Sequence, residues 1–476
     1  MVNQCRRPKC MPPGPAILPF VGNIPAISGK NLIEAFRELR KQYGDIFCLR
    51  LGSSWVLVIN GYKNLQDALI KQGDDFQDRP NTFFFDKMLD KKGIAGSSGL
   101  IWQEHRNFAV NTLKDFGFGK RSLQDKILTE VECLLNTLQS TNGENFDLKP
   151  IIQGVFSNII LSIVFNQRYE YYDPQMLRVR DILHKVLADS EFAGALDFMP
   201  WLEYIPGDMF YAKRLLKLEK EIDEFMKKHI DEHKMTLDEN NHRDFLDAYL
   251  AEMKKRGKDK DSTFTERQIV RTCRDLLLAG TDTTATSVRW AVLHMIHKPE
   301  IQEKMNIEIN QMIGLDRRPD MNDRRKMPYC DAVCNETMRI SDVAPISAPR
   351  VTKSETNFKG YTIPANTIVM PCLDSVLFDE NIFQEPENFI PERFLDGSSL
   401  NKMTRFNIPF ALGKRSCPGE VLARQELFLT LVSLVQKFKF LPPKGLGMPE
   451  IKRKFGVIFY PADYELRIVV RDGVKG

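Results

Sequence analysis

The sequence predicts a mainly α-helical α+β protein, a single large domain of 476 residues with one long central helix and small β-sheets. Helical periodicity dominates residues 86–303, and one uninterrupted helical pattern covers residues 263–297. Strand patterns are confined to short runs outside that region. This distribution favours a helix-rich body with small peripheral sheets.

The short elements follow in chain order. Residues 32–43 repeat apolar side chains at the helical period and predict the first helix. Residues 45–51 and 55–60 predict two strands, which a Gly-Ser-Ser turn joins into a hairpin. Two later apolar runs, 367–373 and 457–460, predict further strands.

The long helical pattern has recognisable ends. Thr263 and Glu266 have the spacing of a capping box, and Lys298-Pro299 stops the pattern after His297. The pattern is apolar on most faces. We therefore expect this helix to cross the core of the protein.

The composition excludes several classes of protein. Hydrophobic residues make up 43% and charged residues 27% of the chain, which is ordinary for a globular protein. The 67 basic and 63 acidic residues leave a formal charge of +4, which gives no support for nucleic-acid binding. The nine cysteines lack the spacing of disulfide scaffolds or zinc sites, as expected of a reducing compartment. The chain contains no run of about 20 apolar residues that would predict a membrane-spanning helix.

The most informative segment is the loop 409–419, Pro-Phe-Ala-Leu-Gly-Lys-Arg-Ser-Cys-Pro-Gly, which precedes a helical pattern over 420–438. We expect Cys417 to cap that helix and Pro418 to take its first position. The sulfur would then lie at the positive end of the helix dipole, which favours a thiolate. Glycines on both sides of the cysteine allow the backbone to approach a flat ligand. For an isolated cysteine, a buried structural thiol would be the more common interpretation.

With its neighbours, this loop resembles the haem-binding loop of the cytochrome P450 superfamily. That loop has Phe, Gly, Arg and Cys at the spacing of Phe410, Gly413, Arg415 and Cys417, followed by a glycine that matches Gly419. The resemblance implies haem b as the cofactor, Cys417 as its axial ligand and Arg415 at a haem propionate. It implies a monooxygenase that inserts one atom of dioxygen into an apolar substrate such as a fatty acid, a steroid or a xenobiotic.

A second motif, Ala-Gly-Thr-Asp-Thr-Thr at 279–284, lies inside the central helix although its residue types suit a helix interior poorly. We predict that the hydroxyl of Thr283 bonds back to the carbonyl of Ala279 and opens a local bulge. The motif resembles the oxygen-activation motif of the same superfamily. The resemblance implies that Asp282 and Thr283 deliver protons while dioxygen is reduced. The alternative is a helix kinked for packing.

Three charged residues match a structural motif of the superfamily. Glu336 and Arg339 are three apart and therefore neighbours on a helix, and Arg393 follows in the segment Pro-Glu-Arg-Phe. The resemblance implies that these three side chains form a buried ion-pair network. Such a network supports the fold and is not catalytic.

Further residues match positions that contact the haem propionates. The resemblance assigns Trp102, Arg106 and Arg350 to this role, beside Arg415. Trp102 and Arg106 are four apart, so both can face one ligand from the same helix. Arginines suit this task because a guanidinium binds a carboxylate with two hydrogen bonds.

The N-terminal segment is expected to be a basic, proline-rich hinge over residues 1–15, before a monooxygenase domain at 16–476. The Pro-Pro-Gly-Pro run at 12–15 and the segment Phe-Gln-Asp-Arg-Pro at 76–80 resemble the microsomal animal type, related to the drug- and fatty-acid-metabolising family 2. The resemblance implies the cytoplasmic face of the endoplasmic reticulum membrane, with an anchor absent from this chain. Mitochondria are the alternative location.

The resemblance also implies partners. Electrons would come from an NADPH-dependent flavoprotein reductase, with a small cytochrome as a further donor, and Lys402, Lys414 and Arg424 are candidate docking cations. A membrane surface is a further expected partner, and nucleic acid is not. Two other functions remain open: a haem-thiolate isomerase or dehydratase acting on a peroxide substrate, and a non-catalytic haem-binding sensor. Asp282 and Thr283 argue against the isomerase, which needs no proton delivery.

Overall fold

The computed structural model describes residues 7–116, 121–257, 259, 261–395 and 400–471. Its main helices are α1 (Leu32–Tyr43), α2 (Gly99–Asp115), α3 (Arg121–Gln139), α4 (Lys149–Val164), α5 (Pro174–Phe198), α6 (Ala212–Thr236), α7 (Phe245–Arg256), α8 (Glu266–His297), α9 (Pro299–Met312), α10 (Pro328–Ser341) and α11 (Glu420–Lys437). Shorter helical turns cover Ile24–Ile27, Tyr62–Gln66, Asp67–Lys71, Phe84–Met88, Gly93–Gly96, Pro200–Tyr204, Arg324–Lys326, Asp374–Leu377, Pro391–Phe394 and Leu400–Phe406. The predicted helix-rich class is confirmed.

The strands are short. They are β1 (Ile46–Leu51), β2 (Ser54–Ile59), β3 (Arg350–Val351), β4 (Thr356–Phe358), β5 (Tyr361–Ile363), β6 (Ile368–Pro371), β7 (Phe438–Leu441), β8 (Arg453–Lys454), β9 (Tyr460–Pro461) and β10 (Arg467–Val470). The largest sheet has the order β1-β2-β6-β3, in which only β2 and β6 are parallel. The remaining sheets pair β7 with β10, β4 with β5, and β8 with β9.

The strand predicted at 457–460 is wrong. Val457 donates its backbone N–H to the carbonyl of Leu187, and Phe459 donates to the carbonyl of Val343. These donors therefore bond two separate elements and form no ladder, and β9 begins only at Tyr460.

The central helix α8 begins at Glu266, and its capping residue lies two positions after the predicted cap at Thr263. The side chain of Thr265 caps it by accepting a hydrogen bond from the N–H of Gln268. The hydroxyl of Thr263 instead donates to the carboxylate of Glu104, a tertiary contact that local spacing does not reveal. The helix ends at His297 as predicted, and it packs against α4, α6, α10 and α11. The expectation that it crosses the core is confirmed.

The N-terminal segment lies against the body from the first described residue onward. The N–H of Cys48 donates to the carbonyl of Pro13 over 2.8 Å, and the N–H of Thr362 donates to the carbonyl of Cys10 over 2.9 Å. Met11 is buried. Residues 1–6 of the expected hinge lie outside the described residues. Within the described ranges, no helix combines the length and the apolar character needed to cross a bilayer.

Candidate active site

A cavity of about 250 Å³ lies where the middle of α8 faces the loop before α11. The loop side contributes Phe410, Arg415 and Cys417, and α8 contributes Thr283 and other residues. The structure thus brings the two sequence motifs to one place, although more than 120 residues separate them in the chain.

The cysteine loop is held by backbone hydrogen bonds. The N–H of Cys417 donates to the carbonyl of Phe410 over 2.9 Å. Gly413 has a φ of +76°, and a Cβ at this position would lie 1.8 Å from the carbonyl oxygen of Leu69. Only glycine fits there. The loop can therefore pass directly beneath the neighbouring backbone.

The predicted cap of α11 is wrong. The capping residue is Gly419 and the helix begins at Glu420, so Pro418 is not its first residue and Cys417 lies two residues before the cap. Burial raises the pKa of the Cys417 thiol, although the N–H groups of Gly419 and Glu420 and the charge of Arg106 lower it. The helix end therefore lowers the pKa of Cys417 by less than burial raises it. A bound metal deprotonates a thiol ligand outright.

Guanidinium groups gather on one side of the cavity. Arg79, Arg106, Arg350 and Arg415 influence one another electrostatically. Burial, together with the charges of Arg79 and Arg350, lowers the pKa of Arg415 to about 8. Burial, together with the charge of Arg79, lowers the pKa of Arg350 to about 9. Their side chains bond mainly to backbone carbonyls and form no ion pair with a carboxylate among the described residues. Such a cluster is an anion site.

Several buried donors in this cluster lack a partner among the described residues. They are Nε and Nη2 of Arg350 and the indole N–H of Trp102, whose ring lies 3.9 Å below the guanidinium of Arg415. Arg106 donates to the carbonyl of Ser416 over 2.6 Å. Because buried donors are normally satisfied, these groups fit a ligand that carries carboxylates. The residues present therefore fit haem, which has two propionates.

Arg79 belongs to this cluster, but sequence reasoning assigned it no role. Burial lowers its pKa to about 10, and its guanidinium bonds the carbonyls of Ala95, Ala348 and Pro349. Arg79 belongs to the segment 76–80, which in the sequence indicated only the resemblance to the microsomal type.

The two residues of the predicted proton-delivery pair point in different directions. Thr283 lines the cavity, and its hydroxyl donates to the carbonyl of Ala279 over 2.6 Å. Asp282 is buried on the face of α8 that points away from the cavity, where its carboxylate accepts a hydrogen bond of 2.6 Å from Gln153. Every residue from 279 to 284 is α-helical, so the predicted bulge is wrong. A carbonyl oxygen has two lone pairs, and it can accept the hydroxyl while it keeps its ladder bond.

A family model described as Cytochrome P450 matches residues 12–468. This chain belongs to the cytochrome P450 family. It is 37% identical to rabbit cytochrome P450 2B4 over 467 residues, which cover 97% of this chain and 94% of that protein. It is 37% identical to chicken cytochrome P450 2H2, covering 91% of this chain and 88% of the relative, and 35% identical to rat cytochrome P450 2C23, covering 97% and 94%. The chain is accordingly a haem-thiolate monooxygenase, and its cofactor is haem b with a cysteine thiolate as an axial ligand.

The three side chains of the ion-pair network expected of this P450 lie in contact. Glu336 and Arg339 are completely buried and lie 2.7 Å apart. Arg393 approaches the same carboxylate to 3.1 Å, and the N–H of Ile390 donates to it over 2.9 Å. The network joins α10 to the turn at Pro391–Phe394. It does not line the cavity.

A second buried acid of this P450 was not predicted. Glu426 on α11 accepts a hydrogen bond of 3.0 Å from Thr284, which lines the cavity, and its other oxygen has no partner among the described residues. Burial raises its pKa to about 8, although the hydroxyl of Thr284 lowers it. A glutamate inside an apolar helical pattern was the only available signal.

Replacing Glu426 by glutamine is expected to flatten the pH dependence of stability. The folded protein keeps a proton that the unfolded chain releases, so the stability of the unchanged protein falls as the pH rises from about 4.5 to about 8. Each unit of this pKa difference corresponds to about 1.4 kcal/mol. Urea unfolding of both proteins across this range measures the difference, since all other groups titrate alike. Parallel profiles would contradict a protonated Glu426.

Proposed function

We propose that this P450 uses haem b, held in the cavity with Cys417 as its axial ligand, to insert one atom of dioxygen into an apolar organic substrate. The single observation that carries the proposal is the convergence of a cysteine thiol, an alcohol on α8 and a cluster of guanidinium groups around one cavity. When bound, haem supplies an iron centre at which dioxygen is reduced and activated.

Several residues are proposed to bind the haem. The guanidinium groups of Arg106, Arg350 and Arg415 bind the propionates, and Trp102 adds its indole N–H. We add Arg79 to this set because its charge faces Arg350 and Arg415. Phe410 and Gly419 shape the loop around the sulfur. Burial, together with the charges of Arg79 and Arg350, depresses the pKa of Arg415, and anionic propionates would relieve the repulsion between these cations.

Proton delivery is assigned to Thr283 and Asp282. Thr283 presents its hydroxyl to the cavity, and Asp282 is the acid next to it on the same helix. Asp282 does not line the cavity, so its role is to resupply the alcohol with protons.

Thr283→Ala is expected to retain haem and to uncouple the consumption of dioxygen from product formation. Without the hydroxyl the proton arrives late. We therefore expect the product formed per NADPH to fall by about tenfold or more, with peroxide released in its place. Peroxide and product are measured per NADPH oxidised. Thr272→Ala is the matched control, because Thr272 lies on the same helix and bonds back to Gln268 but does not line the cavity. Equal coupling in both variants would remove Thr283 from this role.

The substrate is proposed to be apolar, namely a fatty acid, a steroid or a xenobiotic. Apolar side chains that line the cavity beside Thr283 include Ala279, Val343 and Ala344. Such walls bind by burial of apolar surface, with few polar groups to orient a ligand. A panel of fatty acids and steroids, screened for spectral shifts on binding, separates these classes.

Electrons are proposed to come from an NADPH-dependent flavoprotein reductase, with a small cytochrome as a further donor. Of the candidate docking cations, Lys414 is exposed beside Asp74, whereas Arg424 is largely buried and pairs with Glu420. The side chain of Lys402 lies outside the described residues. Lys414 is therefore the better docking cation, and Arg424 supports the loop.

One experiment tests the proposed reaction against both rival functions. Consumption of dioxygen driven by NADPH, with an apolar substrate, is measured with the reductase present and absent. A monooxygenase requires the reductase, an isomerase converts a peroxide substrate without it, and a sensor shows no turnover in either case. Turnover without reductase would overturn the proposal.

A membrane surface of the endoplasmic reticulum, on its cytoplasmic side, is the proposed location, with the mitochondrion as the alternative. Phe20 is 81% exposed and Tyr204 is 80% exposed, and Trp201 is exposed beside Tyr204. Gly22 pairs with Leu51 in the β1–β2 hairpin. Gly52, in the turn of that hairpin, lies against the carbonyl of Phe198 at the end of α5, three residues before Trp201. The two aromatic segments therefore flank one hairpin. We propose that these exposed aromatic side chains contact the membrane surface.

Changing Phe20, Trp201 and Tyr204 together to serine is expected to weaken binding to phosphatidylcholine vesicles by at least tenfold. Each buried aromatic side chain contributes about 1.5–3 kcal/mol, and about 1.4 kcal/mol corresponds to a factor of ten. Vesicle co-sedimentation measures the loss. The control changes three exposed apolar residues on other elements to serine, namely Met235, Ile307 and Met312. Equal losses in the two triple variants would reject this surface.

A further inference from the structure

Two buried polar atoms face each other behind α8 without a hydrogen-bond partner among the described residues. They are Oδ2 of Asp282 and Nδ1 of His184 on α5, which lie 3.5 Å apart. Asp282 is 1% exposed, and its other oxygen accepts from the neutral amide of Gln153. The two atoms are close enough that a small side-chain shift brings them to hydrogen-bond length.

A buried carboxylate is stable only if it is protonated or lies next to a cation. Gln153 supplies neither, so Asp282 depends on His184. A proton between these two groups can move between Oδ2 of Asp282 and Nδ1 of His184.

The pair is connected to solvent through one further residue. Nζ of Lys149, the first residue of α4, lies 3.4 Å from Nε2 of His184. The same Nζ lies 3.6 Å from Asp463, a carboxylate that is 53% exposed. Because the ammonium donates to Nε2, the neutral imidazole carries its own proton on Nδ1, toward Asp282.

The other groups around His184 do not compete for this proton. Tyr460 packs its ring against the imidazole at 5.1 Å, and burial raises the pKa of its hydroxyl well above the usual value. Asp181 and Lys185, on the same helix as His184, pair with each other. Arg289 and Lys454 also contact Asp463, Arg289 at the same carboxylate oxygen as Lys149.

We propose that Lys149 and His184 form a proton relay that recharges Asp282 from solvent. Lys149 gives a proton to Nε2 of His184, and Nδ1 passes its proton to Oδ2 of Asp282. Water returns a proton to Lys149, and rotation of the His184 ring, whose side chain is 28% exposed, brings both nitrogens to solvent, where Nε2 loses its proton and Nδ1 gains one. No electrons move and no bond to carbon changes. The inference rests on the role proposed above for Asp282, and His184 acts through that residue as a positioning residue.

The test compares His184→Phe with the unchanged holoenzyme. Phenylalanine preserves an aromatic ring against Tyr460 but carries no proton. We expect the peroxide released per NADPH to rise severalfold, and both the solvent isotope effect and the pH profile of coupling to change. Lys149→Met is expected to act in the same direction, and added imidazole is expected to restore coupling in His184→Ala. His242→Phe, which changes an exposed histidine, and Lys185→Met are the matched controls.

A second measurement does not depend on turnover. Nitrogen-15 NMR of the histidine-labelled holoenzyme, which has seven histidines, is expected to show His184 protonated at Nδ1. Lys149→Met is expected to shift it toward the other tautomer. An unchanged tautomer would overturn the relay.

Asp282→Asn distinguishes the relay from the role of Asp282 itself. If Asp282→Asn uncouples and adding His184→Phe to it changes nothing more, the relay is supported. Uncoupling by Asp282→Asn with normal coupling, isotope effect and pH profile in His184→Phe would overturn the relay while Asp282 keeps its role. Normal coupling in Asp282→Asn would remove Asp282 from proton delivery and the relay with it. If His184→Phe does not retain haem, His184→Gln takes its place in the same comparisons.

Discussion

Cys417→Ser is expected to abolish monooxygenase turnover while much of the haem cavity survives. The cluster of Arg106, Arg350 and Arg415 is untouched, so the groups proposed to bind the propionates remain in place. A serine hydroxyl does not replace the thiolate, whose electron donation favours cleavage of the O–O bond. The carbon monoxide spectrum of the reduced protein is expected to lose its thiolate signature, and product formation is expected to fall below detection.

The control is Cys10→Ser, which changes an exposed cysteine and is expected to leave both spectrum and turnover unchanged. If Cys417→Ser takes up no haem, Cys417→His replaces it, because an imidazole ligates iron and gives a nitrogen-type spectrum. A thiolate spectrum that survives either change at position 417 would mean that another cysteine is the ligand.

Glu336→Gln is expected to destabilise the protein by roughly 3–5 kcal/mol. Arg339 is completely buried and Arg393 nearly so, and both would lose the carboxylate that neutralises them. A domain is stable by only about 5–15 kcal/mol, so such a loss removes a large share of the total. Chemical denaturation followed by circular dichroism, together with haem retention at rising temperature, measures the effect.

A neighbouring pair provides the matched control. Glu392 pairs with Lys304 at the surface, where both side chains are about half exposed. Such surface pairs contribute about 0–1 kcal/mol, so Glu392→Gln is expected to change stability by less than that. If Glu336→Gln proved no more costly than Glu392→Gln, the buried network would not support the fold in the proposed way.

Local sequence patterns predicted the helices well and the fine geometry of their ends less well. The limits of α1 and the end of α8 at His297 follow from periodicity and from proline, both of which act within a few residues. The cap at Thr265 and the position of Cys417 outside α11 do not, because contacts with distant residues compete with local capping.

Sequence by itself determined the family-typical loop around Cys417, the motif at 279–284, and the helix-rich class. Their residue types and spacings are carried by consecutive positions, where local chemistry acts. Only the tertiary structure brought Arg79 to Arg350 and Arg415, buried Glu426 under Thr284, and turned Asp282 away from the cavity toward His184. Burial and charge proximity depend on which elements pack together, and packing joins residues that are far apart in the chain.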